Sequence, residues 1–202
     1  MPPGLIDRRS LNLPNLITIS RLVLAIILFV LIDIDGWWRL SAALFVIAAF
    51  TDFLDGYLAR KYGQVTVLGR ILDPFVDKII ICGSFIFLQG KSADGLSSGV
   101  TAWMTFVIVA REMFITSLRA VLEQYGKDFS AKWSGKAKMF IQCVAVPVCL
   151  LSLSRIFLGD VAEYVSTGQW TLLRDILLWG TVAVTVYSGV EYVVRAVRLW
   201  GE

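Results

Sequence analysis

"TDFLDGYLARKYGQVTVLGRILDPFVDK", residues 51–78, sets Asp52, Asp55, Asp73 and Asp77 inside apolar sequence that otherwise reads as membrane-spanning. Spacings of three and four put Asp52, Asp55, Gly56, Ala59 and Arg60 on one helical face, and Asp73 and Asp77, four apart, on one face of the next helix. A short turn near Tyr62 to Val67 makes these two helices antiparallel and brings both acidic faces to a similar depth. Four carboxylates then converge on one pocket.

Composition decides the solvent around that pocket. With 57% hydrophobic and 17% charged residues and a mean hydropathy of +0.72, the chain has the profile of a membrane protein. Its 202 residues supply about six spanning helices of roughly 20 residues each and leave no soluble domain of useful size. Apolar runs punctuated by Gly, Pro and charge give spans at 15–34, 38–59, 68–90, 98–121, 136–158 and 172–194. The expected fold is therefore all-α: a polytopic membrane protein with six transmembrane helices in a single domain, residues 1–202. The opening "MPPGLIDRRSLNLPN" lacks the pattern of a cleavable signal peptide and reads as a short interfacial segment.

Arg8, Arg9, Arg60, Lys61, Arg70, Arg119, Lys127, Lys132, Lys136, Lys138, Arg195 and Arg198 gather at the termini and at two alternate connections. The positive-inside rule then places both termini and the acidic pocket in the cytoplasm, on the inner face of the cytoplasmic membrane. Trp37, Trp38, Tyr164 and Trp170 fit an aromatic belt at the opposite face.

Several functions are excluded at once. The absence of histidine removes Ser-His-Asp triads, a histidine base and histidine-ligated zinc or haem. A net charge of +3 is too small to indicate nucleic-acid binding. Cys82, Cys143 and Cys149 sit in apolar stretches without metal-ligand or redox spacing and read as packing residues.

Four close negative charges in a poorly hydrated place require a cation, because each raises the others' pKa and hydrocarbon penalises every charge. Oxygen-only ligands favour Mg2+ or Mn2+ over zinc, and four carboxylates suffice for two ions. Such sites commonly grip phosphates. Gly56 and Ala59 leave room on the acidic face for a flat group such as a nucleotide. Structural pairing of the aspartates with Arg60, Arg70 and Lys78 is the plainer alternative.

The stretch fits D-x2-D-G-x2-A-R-x8-G-x3-D-x3-D at Asp52, Asp55, Gly56, Ala59, Arg60, Gly69, Asp73 and Asp77, and so resembles the CDP-alcohol phosphotransferases. The resemblance implies a six-helix, usually homodimeric membrane enzyme that moves a substituted phosphoryl group from a CDP-linked donor to an alcohol and releases CMP. By position, Asp52, Asp55 and Asp73 correspond to metal ligands. Asp77 corresponds to the catalytic base, with contact to a metal also open. Gly56, Ala59, Arg60 and Gly69 correspond to residues that hold the nucleotide.

The acceptor is read from the rest of the chain. Arg111 lies inside the fourth span, where a cation needs a function or a partner, and Glu112 is adjacent rather than at helical spacing. Arg119, Lys132, Lys136 and Lys138 follow nearby. A cluster of cations suits an acceptor that carries phosphate. "LPNLITISR", "VAREMFITSLR" and "AKWSGKAKMFIQ" resemble the branch of the family that joins CDP-diacylglycerol to sn-glycerol 3-phosphate. Positive-inside topology or contact with anionic lipid accounts equally well for any single lysine. Asn15 and Arg21 are placed either to reach the donor headgroup or to cap and anchor the first helix, the second being the plainer reading, and Glu191 with Arg195 reads as a structural pair. A sibling activity with phosphatidylglycerol (cardiolipin synthesis) or inositol phosphate stays open, as does, more remotely, a divalent-cation transporter.

Overall fold

The computed structural model describes the backbone of residues 13–62, 67–125 and 133–200, and the side chains of residues 15–51, 72–125 and 133–199. Within these limits the chain is almost entirely helical. Seven helices occur among the described residues: α1 (Leu13–Asp33), α2 (Trp38–Tyr62), α3 (Val67–Leu88), α4 (Ala102–Gln124), α5 (Trp133–Ser152), α6 (Arg155–Val161) and α7 (Thr167–Trp200). A two-stranded antiparallel hairpin, β1 (Ser92–Ala93) and β2 (Leu96–Ser97), links α3 to α4 and turns through Asp94 and Gly95. The interfacial segment expected before Leu13, the turn over residues 63–66 and Lys132 lie outside the described residues.

Three helices, Asn15–Asp33, Trp133–Ser152 and Thr167–Leu199, are long and apolar enough to cross a membrane, and α2 adds a shorter apolar run, Trp38–Thr51. Exposure supports a lipid-facing exterior. On α1, Ala25, Leu28 and Ile32 are fully buried, while Val23, Ile26 and Val30 are each more than half exposed. Polar side chains turn inward instead: Ser41, Ser84, Thr181, Thr185 and Ser188 are all fully buried. In water this arrangement would waste apolar area. In lipid it places each polar group where a protein partner can meet it.

The chain divides into two compact units, one up to Phe87 and one from Leu88 onward. In the first, α1 packs chiefly along α2. Phe29 of α1 also reaches α3, where its ring stacks on Phe87 at 5.0 Å between centroids and covers Gly83. A methyl at Gly83 would come within 2.2 Å of the Phe29 ring, so only glycine admits this approach. In the second unit α7 packs against both α5 and α4. Its inner face runs Leu178, Thr181, Thr185, Ser188, Tyr192, Ala196, in steps of three or four.

Two expectations are corrected. The span expected over 136–158 is interrupted: α5 ends at Ser152, and α6 starts afresh behind Ser154, which leaves helical geometry and caps the Phe157 N–H with its hydroxyl. Ser152 is drawn away as well, accepting a hydrogen bond from Trp170 Nε1 at 3.0 Å. Of the expected belt, Trp37 and Tyr164 are exposed, but Trp38 is buried. Trp38 opens the inward stripe that continues through Ala42 and Phe45, so packing claims it.

Candidate active site

In the first unit α2 carries Asp52, Asp55, Gly56, Ala59 and Arg60 in one unbroken helix, and α3 carries Gly69, Asp73 and Asp77. The side chains of residues 52–71 lie outside the described residues, so the acidic cluster is described through Asp73 and Asp77. Both are half-buried and stand one turn apart. Among the described residues no three acidic or sulfur side chains gather. The convergence expected of four carboxylates turns on Asp52 and Asp55.

What meets Asp73 and Asp77 comes from α1. Thr18 Oγ1 donates to Asp73 Oδ1 at 2.7 Å, and the Arg21 guanidinium stands 4.0 Å from Asp77 Oδ1. Asn15, Thr18 and Arg21 are each nearly fully buried and recur every three residues, continuing the apolar stripe of Ala25, Leu28 and Ile32. The inner face of α1 thus changes from apolar to polar where it meets the acidic turn of α3. Arg21, expected to anchor the first helix, instead stands beside Asp77 of the motif, and Thr18, to which no role was given, binds Asp73. For Arg21 the signal was present in the sequence as a cation in an apolar span, where such a group is costly unless used.

The second unit holds the cations. Arg111 on α4 donates from Nη1 to Glu112 Oε1 at 3.3 Å and from Nη2 to Ser188 Oγ at 3.1 Å. Its Cζ lies 5.6 Å from the centre of the Tyr192 ring, within cation–π range. Lys138 on α5 is also buried and binds the same Glu112 oxygen. Sequence adjacency therefore did not keep Arg111 and Glu112 apart. Side-chain length and the shared inward direction bring the two charges together. Arg119 is partly buried, and its Nε, like that of Arg111, is enclosed with no hydrogen-bond partner among the described residues. Lys136 is exposed, beside Trp133 at the mouth of an apolar groove between α5 and α7. Of the expected cationic group, Arg111 and Lys138 meet at one carboxylate.

The family model of CDP-alcohol phosphatidyltransferases matches residues 11–187, taking in the whole aspartate motif and most of both units. The chain belongs to the CDP-alcohol phosphatidyltransferase family. Within that family it is 36% identical over 195 residues to the CDP-diacylglycerol–glycerol-3-phosphate 3-phosphatidyltransferase of Bacillus subtilis, covering 90% of this chain and 93% of that one. It is 32% identical over 197 residues to a probable phosphatidylglycerophosphate synthase of Mycobacterium tuberculosis, covering 94% and 84%. A cardiolipin synthase (CMP-forming) of Streptomyces coelicolor is 31% identical over 202 residues, covering 95% and 85%. CDP-alcohol phosphatidyltransferases are generally dependent on divalent metal ions. The all-oxygen donors of Asp73 and Asp77, one turn apart and already oriented from α1, fit such an ion.

Proposed function

We propose that the protein transfers the phosphatidyl group of CDP-diacylglycerol to sn-glycerol 3-phosphate, giving phosphatidylglycerophosphate and CMP. The observation that carries this reading is the match of residues 11–187, with relatives of that activity at 30–36% identity over nearly the full chain. Asp52, Asp55, Asp73 and Asp77 would hold one or two Mg2+ or Mn2+ ions. A bound ion of this kind supplies neutralisation of the pyrophosphate charge.

The remaining chemistry belongs to side chains. Gly56, Ala59, Arg60 and Gly69 hold the cytidine nucleotide. Asp77 takes the proton of the acceptor hydroxyl as its oxygen bonds to the phosphatidyl phosphorus, and the bond to the CMP oxygen breaks in line. Arg21 keeps the Asp77 carboxylate in place, and Thr18 does the same for Asp73. Arg111, Arg119, Lys132, Lys136 and Lys138 are the candidate ligands of the acceptor phosphate.

The protein works as a homodimer of six-span chains in the cytoplasmic membrane, with its termini and active site on the cytoplasmic side. This placement follows the clustering of basic residues.

The second reading is cardiolipin synthesis, favoured by the Streptomyces relative. The test is CMP release from CDP-diacylglycerol and Mg2+ by purified protein in detergent, with glycerol 3-phosphate, phosphatidylglycerol, inositol phosphate or serine added separately. Release with glycerol 3-phosphate alone is expected. Preference for phosphatidylglycerol would transfer the assignment to the second reading.

A further inference from the structure

The last helix carries no residue of the aspartate motif, and Ser188 and Tyr192 lie beyond the stretch that matches the family. Both nevertheless contact Arg111. Ser188 is fully buried and its hydroxyl donates to the Thr185 carbonyl at 3.1 Å, which turns an oxygen lone pair toward Arg111 Nη2. Tyr192, one turn on, lays its ring beside the guanidinium. Between them Gly189 makes room: a methyl there would stand 3.3 Å from Arg111 Cγ, tighter than ordinary contact. On the opposite side Glu112 fixes Nη1.

Arginine has five N–H donors in one plane, and this cradle uses the two ends while leaving Nε–H enclosed without a hydrogen-bond partner among the described residues. Glu112 is shared between Arg111 and Lys138, which brings two buried cations to one carboxylate. The enclosed Nε–H is a donor that no described residue uses, and it is the part of the guanidinium left for an anion.

We propose that Ser188 and Tyr192 are positioning residues which hold the Arg111 guanidinium ready for the phosphate of the acceptor. The proposal rests on the reading of Arg111 as an acceptor ligand. Rigidity is what the cradle contributes: a free arginine must give up much rotamer freedom to bind a phosphate, whereas one held on three sides has already lost it.

The test is steady-state kinetics of the full-length enzyme, with the acceptor and donor varied in turn, using whichever phosphorylated acceptor supports CMP release. Arg111→Ala, Ser188→Ala, Tyr192→Leu and Tyr192→Phe are compared with Tyr187→Leu, a control on the exposed face of α7. Arg111→Ala is expected to raise the acceptor KM most. Ser188→Ala and Tyr192→Leu should each raise it about five- to tenfold while kcat and the donor KM stay within about twofold. Tyr192→Phe retains the ring face and should raise the acceptor KM less than Tyr192→Leu does, while Tyr187→Leu should stay near wild type. Should Tyr192→Leu fail to fold, Ser188→Ala and Tyr192→Phe still carry the comparison.

Each contrary outcome is distinct. An Arg111→Ala effect with unchanged KM in Ser188→Ala overturns the positioning role and leaves the function standing. A parallel fall in kcat and in both kcat/KM values shows a structural role only. Unchanged KM in Arg111→Ala removes both the ligand and its cradle, and turnover solely with unphosphorylated acceptors removes the function as well.

Discussion

Asp73 and Asp77 differ by one helical turn and by what holds them, a neutral hydroxyl for Asp73 and a guanidinium for Asp77. Asp77→Asn keeps shape and loses proton affinity, so kcat should fall by about 10²- to 10⁴-fold while CDP-diacylglycerol binding changes little. Asp73→Asn should weaken Mn2+ binding as well as turnover, measured by the paramagnetic signal of the free ion. Equal loss of donor binding in both variants would remove the separate role of Asp77. The aspartates were legible because their spacing repeats the helix and because charge in apolar sequence demands a reason. Thr18 was not, since a lone threonine in an apolar helix usually satisfies itself against its own backbone and its partner here lies 55 residues away.

Helices were legible for a similar reason, since apolar runs of spanning length leave few alternatives. Their ends and inner faces were less so. The break between α5 and α6 depends on which of two nearby serines leaves the helix, and no periodicity distinguishes Ser154 from Ser152. Trp38 looked interfacial by type and proved buried by register. Contacts of Ser188 and Tyr192 with Arg111 are long-range and carry no local signal. Close packing of α1 on α3 yields a prediction at this scale. Gly83→Ala forces the Phe29 ring from its stack on Phe87 and should destabilise the first unit by about 1–3 kcal/mol. Thermal unfolding in detergent should show a lower Tm for Gly83→Ala, and Phe29→Ala in the same chain should recover part of it. Additive losses would mean that the ring and the glycine do not share the space.

Across the whole molecule, the order of the chain separates two chemistries. Residues up to Phe87 carry the aspartate motif, and residues from Leu88 onward carry the buried cations Arg111 and Lys138. Removal of divalent ions by EDTA should abolish turnover, and Mg2+ or Mn2+ should restore it. Loss of donor binding in EDTA without loss of helical circular dichroism would place the ions in catalysis rather than folding. Full activity in EDTA would contradict the role of the aspartates. The family could be read from eight spaced residues, whereas the acceptor could not, because its cations also serve topology and lipid contact.

The central claim is that a phosphatidyl group passes to glycerol 3-phosphate with loss of CMP. Incubation of the purified enzyme with CDP-diacylglycerol, Mg2+ and 13C-labelled glycerol 3-phosphate, followed by mass spectrometry of the lipid, tests it most directly. A lipid with the mass of labelled phosphatidylglycerophosphate, formed one-to-one with CMP, is the expected result. CMP formed without label in the lipid, or no CMP at all from folded, metal-loaded protein, would contradict it.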